Sequence, residues 1–307
     1  MSWENPFHEG ELKAQKLAGE AQNGESIGAM IGNKIMSGAL SFIRAQKMVI
    51  ISSRDAQGHR WASPLFGKAG FLEPSGDRKA LSISIDPTEN DATDPLLENV
   101  KSDSRIGALI IELATRRRLR VNGPAVLVNN ALTITVEESF GNCPKYITRR
   151  ELNIQPRNES AKKVPASRGT KLGKAQTSLL MATDILFLAT GHPQRGAEVS
   201  HRGGNPGFLQ VVDANTLRMP DYSGNSMFST LGNLLLDPHY GLLIPDFPSG
   251  KILQLTGTAK VSWSANDKDH RTGGTNRFVE FHVDEWRESM LSASVSEHLI
   301  DYSPYNP

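Results

Sequence analysis

Cysteine is all but missing: Cys143 stands alone among 307 residues. That excludes an internal disulfide and a cysteine-ligated zinc cluster, and it fits a reducing compartment. Charge of one sign is not in excess either. With 34 basic and 33 acidic residues the net charge is +1, so the basic surplus of general nucleic-acid and membrane-surface binders is lacking. No apolar run reaches the roughly 18 residues of a spanning helix. The start, Met1-Ser2-Trp3-Glu4-Asn5, has neither the basic region nor the apolar stretch of a secretory leader. A soluble, cytoplasmic protein without nucleic-acid or membrane partners is the expectation. H-E-x-x-H, G-x-x-x-x-G-K-S/T and G-x-G-x-x-G are absent, which leaves zinc hydrolysis, P-loop chemistry and a Rossmann site unsupported. The histidines show no ligand-like spacing, and no metal is expected.

What is present is mainly β pattern. Residues 1–40 are polar, with helices expected over Glu11–Glu20 and about Ile27–Ile43. Over 41–150, short apolar or alternating runs separated by turns read as strands: Lys47–Ser52, His59–Phe66, Gly70–Leu72, Ala80–Ile85, Ile106–Glu112, Leu119–Leu127 and a last one at Leu132–Val136. Asp94–Asp103 reads as a helix. Residues 151–176 are polar, basic and contain Pro and Gly, the signature of a linker or long surface loop. Over 177–307 the strands resume, from Leu179–Ala182 to Arg277–Val283, and Asp284–Leu291 reads as a closing helix.

The two β regions repeat each other. Gly70-Phe71-Leu72 matches Gly207-Phe208-Leu209, and Ser63 matches Ser200, at an offset of 137. Gly107-Ala108-Leu109-Ile110 matches Gly241-Leu242-Leu243-Ile244 at an offset of 134, as does Arg120-Val121-Asn122-Gly123 against Gln254-Leu255-Thr256-Gly257. A doubled unit is expected to pack as a pseudo-two-fold pair. Divergence then allows one site to be kept and the other lost.

Val199–Asn233 carries the richest chemistry. His201-Arg202-Gly203-Gly204 follows a strand, and Ser223-Gly224-Asn225-Ser226 forms a corner expected to open a helix. Backbone amides and an arginine in such places hold an anion; equally, the residues read as turn glycines and an N-cap. In Thr115-Arg116-Arg117-Arg118-Leu119-Arg120, alternation puts Arg118 and Arg120 on one strand face, opposite Arg117 and Leu119. One face could bind phosphate, or the run could be a charged strand edge. Cys143, beside Lys145, reads as structural rather than catalytic.

The order S-H-R-G-G-x-P-G-F, hairpin, P-D-x-x-G-N, L-x-N-L and G-L-L resembles the FMN-binding split-barrel family, the pyridoxamine 5′-phosphate oxidase-like superfamily. Within it the tandem two-barrel branch is most similar. The blocks His8-Glu9-Gly10-Glu11, Glu112–Gly123 and Ser139–Arg150 extend the resemblance over nearly the whole chain. It implies two tandem split β-barrels of a six-stranded type, packed as a pseudo-dimer, with FMN in the groove between them. Ser200, His201, Arg202, Asp221, Ser223, Asn225 and Ser226 then match the phosphate-contacting positions, and Arg118 a flavin-contacting one. Arg116 or Arg117 could add a cation across the interface. Gly224 and Asn225 stand where the oxidase carries Arg and Lys, and its substrate signature is missing. The expected function is FMN-dependent oxidoreduction of a small-molecule substrate or electron acceptor, with electrons from NAD(P)H or a partner reductase. The alternative is a non-catalytic flavin or haem carrier, and a structural protein is a third class. Pairing into a homodimer is left open.

Overall fold

The computed structural model describes residues 5–87, 89–156, 165–291 and 293–307. Three helices open the chain: α1 (Glu9–Leu17), α2 (Ala21–Gly28) and α3 (Leu40–Ala45). The helix expected over Ile27–Ile43 is broken. After Gly28 the chain turns and Gly32 bridges to Ser139, and helix resumes as a 3-10 turn over Ser37–Ala39 that leads into α3.

The first half then forms β1 (Met48–Arg54), β2 (Arg60–Phe66), β3 (Leu72–Pro74), β4 (Ala80–Ser84), α4 (Leu96–Ser102), β5 (Arg105–Glu112), β6 (Arg117–Val128), β7 (Ala131–Thr135) and β8 (Glu138–Gly141). The connection carries β9 (Arg149–Pro156) and β10 (Ser167–Gly169). The second half has α5 (Lys174–Ala182), β11 (Ile185–His192), β12 (Gly196–Gly203), β13 (Gln210–Val211), β14 (Thr216–Pro220), α6 (Ser229–Leu234), β15 (His239–Asp246), β16 (Lys251–Ser262), β17 (Phe278–Met290) and β18 (Ala293–Asp301).

Each half is an eight-stranded antiparallel sheet, and the two share one plan. The orders are β2-β1-β5-β6-β7-β4-β3 and β12-β11-β15-β16-β17-β14-β13, with β8 added on β6 and β10 on β17. Six strands of each sheet have five residues or more; the other two are short. Registers repeat as well: Ile51 faces Ser63 where Leu188 faces Ser200, and Leu109 faces Arg120 where Leu243 faces Gln254.

The expected linker is partly strand. Residues 149–156 pair with β18, and 167–169 with β17; residues 157–164 lie outside the described ones. Two other expectations fail. Leu179–Ala182 belongs to α5, because Lys174–Ala182 is a run of good helix formers with Leu180 on the buried face. Asp284–Leu291 continues β17 through Met290, since β16 offers it a full ladder of partners and tertiary pairing outweighs local propensity.

Each sheet wraps its own apolar core, one built on Val49, Ile110 and Ile134, the other on Leu188, Leu242 and Phe281. A third core joins the halves through Ile50, Leu109, Phe187 and Leu243. The join is close and pseudo-symmetric. A Cβ on Gly107 would lie 2.8 Å from the Ala197 carbonyl oxygen, and one on Gly241 would lie 2.3 Å from that of Arg60. Both glycines are required by backbone approach across the interface. Among the described residues, no helix is long and apolar enough to cross a membrane.

Candidate functional site

β6 of the first half packs against β12 of the second beside the 221–226 corner. Strand alternation sends Arg118 and Arg120 toward the partner half, while Arg117 faces solvent. Opposite them stand Ser200, His201 and Arg202. Two small cavities of about 60 Å³ each lie here, sharing Arg120, Arg202, Tyr222, Gly224 and Asn225. They form one cleft divided by the side chains of the corner.

The cleft is electropositive. Its lining cations are Arg118, Arg120, Lys145, Arg202 and Arg277, and its one lining carboxylate is Asp221. Asp221 is committed to Arg277 at 2.9 Å and reaches Arg202 only at 3.7 Å. Arg118 donates to the Cys143 carbonyl oxygen at 3.0 and 2.6 Å, so what Cys143 contributes is its backbone, not its thiol. Arg120 is buried against Glu198 at 2.7 Å and hydrogen-bonded to Ser200. Burial pulls the pKa of both arginines down, and for Arg118 the neighbouring Arg120 adds to it. An anion in the cleft would relieve that strain.

His201 supplies a neutral donor. It is buried, and burial together with Arg118, Arg202 and Arg150 holds its pKa well below the usual value. Its Nδ1 lies 3.5 Å from an Arg118 nitrogen that can only donate. The ring proton therefore sits on Nε2, which has no partner among the described residues; neither has Arg120 Nε. A ligand or water in the cleft would complete the set. Backbone strain gathers here too: Tyr146, Ser226 and Phe228 have φ of 64°, 60° and 58°, which is unfavourable for non-glycine residues and typical of sites. Gly203 admits the 142–146 loop, since a Cβ there would lie 2.1 Å from the Tyr146 carbonyl oxygen.

The expected site residues divide accordingly. Arg118, Ser200, His201, Arg202, Asp221, Asn225 and Ser226 all line the cleft. Ser226 also gives its hydroxyl to Glu20 at 2.5 Å. Ser223 is exposed and contributes its carbonyl, which accepts from the Tyr146 hydroxyl at 2.9 Å. Arg116 and Arg117 lie elsewhere. Arg116 bonds Asp301 and the Ile147 carbonyl; Arg117 pairs with Glu112 at 2.7 Å on the surface. The corner is not the start of a helix, because α6 begins at Ser229 and its N-cap is Phe228, without a side-chain cap.

Arg120 belongs with Arg118, and the shared strand face was the signal for it. Lys145, Tyr222 and Arg277 carried no local signal. A G-x-S-x-G spacing at Gly24–Gly28 sits inside α2, with the Ser26 hydroxyl donating to the Asn23 carbonyl; it is not the strand-to-helix elbow of a hydrolase.

No family model and no curated protein matches this chain. Solved structures with similarity include HupZ of Group A Streptococcus, 13% identical over 36% of this chain and 89% of that one, TM-score 0.31. A Clostridium acetobutylicum protein related to general stress protein 26, of the pyridoxinephosphate oxidase family, is 11% identical over 41% and 92%, TM-score 0.30. General stress protein 26 of Bacillus anthracis is 10% identical over 40% and 95%, TM-score 0.28. Likeness at this level says nothing about what this chain binds.

Proposed function

We propose that the cleft anchors the phosphate of FMN and that the chain is an FMN-dependent oxidoreductase, built as two split barrels packed as a pseudo-dimer. The observation that supports this reading is the convergence of Arg118, with no carboxylate partner among the described residues, and Arg202, whose Asp221 sits 3.7 Å away, on a buried His201 whose Nε2 has no partner among them. Charge-assisted bonds from the arginines and a neutral one from the imidazole suit a phosphate monoester. Because the two sides come from different halves, binding would also tie the halves together.

A flavin, once bound, supplies hydride and single-electron chemistry, and NAD(P)H or a partner reductase would supply the electrons. The chain's own part is to hold the phosphate and to seat the ring. Cavities of about 60 Å³ take the phosphate only, whereas ligand pockets run to roughly 300 Å³ or more. The ring would therefore sit where the Tyr146–Tyr222 pair, with ring centroids 4.8 Å apart, now covers the cleft. Seating it requires the exposed Ser223-Gly224 corner to swing outward.

A second reading, a flavin or haem carrier without turnover, is favoured by one feature. Neither His201 nor Asp221 is poised for proton transfer: burial and the neighbouring arginines keep His201 neutral, and Asp221 is tied to Arg277. The visible spectrum of the purified chain, before and after FMN and desalting, tests the binding. Retained flavin bands followed by NAD(P)H oxidation support the enzyme. Retained bands without turnover support the carrier, and a colourless protein removes both flavin readings.

A further inference from the structure

At the tips of the two equivalent hairpins, β1–β2 and β11–β12, one histidine of the hairpin lies beside one from elsewhere, His59 beside His239 of β15 and His192 beside His8 at the start of α1, and the two pairs differ in where the ring proton sits. His8 accepts on Nδ1 from the backbone N–H groups of Gly10 and Glu11 at 3.1 and 3.3 Å. His192 does the same from Gln194 and Arg195 at 2.9 and 3.0 Å. Each neutral ring therefore carries its proton on Nε2, which faces Glu11 at 3.4 Å or Glu9 at 3.3 Å. His8, Glu9 and His192 bring ligand-type atoms within 4.8 Å of one another, yet the imidazole lone pairs are already spent on backbone amides.

The other pair is the reverse. His59 Nδ1 lies 3.0 Å from Asp55 Oδ2, and His239 Nδ1 lies 2.6 Å from Asp237 Oδ1. A carboxylate only accepts, so each ring in its neutral form carries its proton on Nδ1 and presents its lone pair on Nε2. This carboxylate–histidine arrangement orients imidazoles for a metal. Both carboxylates are themselves anchored: Asp55 accepts from Trp61 Nε1 at 3.1 Å and from the backbone of Gln57 and His59, and Asp237 from buried Arg60 at 3.0 Å.

The spacing fits one ion held between opposed imidazoles. With metal–nitrogen bonds of about 2.0–2.1 Å, imidazoles on opposite sides of an ion hold their centroids roughly 6.4 Å apart, whereas a tetrahedral ion would draw them to about 5.2 Å. The rings of His59 and His239 are 6.4 Å apart and inclined at 71°. A Cβ on Gly58 would lie 3.6 Å from Cε1 and Nε2 of His239 and equally far from an Arg54 guanidinium nitrogen, so the lone-pair edge of His239 faces the turn that bears His59; Arg54 has Asp103 at 3.9 Å as its carboxylate. Each side chain is 32% exposed, which leaves room for water on the remaining positions.

We propose that His59 and His239 form a two-imidazole site, joining the halves, for a divalent transition ion that takes opposed imidazoles in a tetragonal arrangement, such as Cu²⁺. It is independent of the flavin reading. The test uses the full chain without a histidine tag, stripped of metal, titrated with Cu²⁺ and Zn²⁺ by calorimetry, with electron paramagnetic resonance of the Cu²⁺ form. One Cu²⁺ per chain is expected, bound more tightly than Zn²⁺, with hyperfine structure from two nitrogens. His59→Gln and His239→Gln should each lower the affinity at least tenfold, and Asp55→Asn about tenfold to a hundredfold. His298→Ala, an exposed site, should change nothing. Native affinity in either His→Gln variant, or fewer than two nitrogens on Cu²⁺ in the native chain, overturns the site; the second reading holds even if a variant fails to fold.

Discussion

Removing Arg202 separates phosphate recognition from everything else a flavin touches. Its side chain is 30% exposed, and its nearest carboxylate, Asp221, keeps the 2.9 Å bond to Arg277 when Arg202 is gone. Arg202→Ala therefore leaves no bare buried charge, and the fold should survive. A hydrogen bond to a charged group contributes about 1.5–3 kcal/mol. At about 1.4 kcal/mol per tenfold, the Kd for FMN should rise roughly tenfold to a hundredfold, nearer the lower figure because of the exposure. Riboflavin has the same ring and no phosphate, so its Kd should barely move. The quantity to measure is the ratio of the two constants, by flavin fluorescence titration at fixed ionic strength. An FMN constant that does not change would refute the argument. So would equal weakening of FMN and riboflavin, which would place Arg202 at the ring.

Arg117→Ala should leave the FMN constant where it is, because Arg117 is held by Glu112 outside the cleft; any clear loss moves the site. Arg120→Met leaves Glu198 buried without its cation and should lower unfolding stability by about 3–5 kcal/mol in a denaturant titration; a loss below about 1 kcal/mol would show that Glu198 is satisfied otherwise. Glu11 is buried beside Glu198 and Glu138, and burial pushes its carboxyl up to about 8. Below the ordinary carboxyl value the group is protonated in folded and unfolded chains alike. As pH rises from about 4.5 to 8 only the unfolded chain ionises, so stability falls by up to roughly 1.4 kcal/mol per pH unit. Glu11→Gln keeps the cap to His8 and should gain on the native chain in thermal melts between pH 5 and 8; parallel melting curves would mean that Glu11 is ionised.

The sequence disclosed the doubling and most strands because both rest on local pattern: equal offsets, and apolar residues at period two. The Arg118–Arg120 face was readable for the same reason. Failures came where distant partners decide. Nothing within Asp284–Leu291 says that β16 will pair with it, and nothing near Arg116 says that Asp301 will claim it. Arg277 is 75 residues from Arg202 in the chain, and only the shared Asp221 brings the two together. The position of a charged side chain was legible; whether another residue neutralises it was not.

That distinction accounts for the difference between the two halves. By the repeat, Gln254 stands where Arg120 stands, and Ser63-Pro64-Leu65 where Ser200-His201-Arg202 stand. The counterpart region still holds a cation, the fully buried Arg287, which hydrogen-bonds Gln254 Oε1 at 2.8 Å. Here, however, the chain supplies its own anion: Arg287 reaches Asp91 at 2.5 Å and the Thr93 hydroxyl at 2.7 Å, while Gln254 also donates to Asp94 at 2.9 Å. A phosphate arriving there would have to displace a carboxylate already in place, against a cation it could not reach from solvent. One half thus leaves Arg118 without a carboxylate among the described residues and Arg202 with one only at 3.7 Å, while the other fills the same position internally. The expected stoichiometry is one FMN per chain, read from the absorbance ratio of the reconstituted protein. A second equivalent of similar affinity would mean that Asp91 yields to the ligand, and the asymmetry argued from these contacts would be wrong.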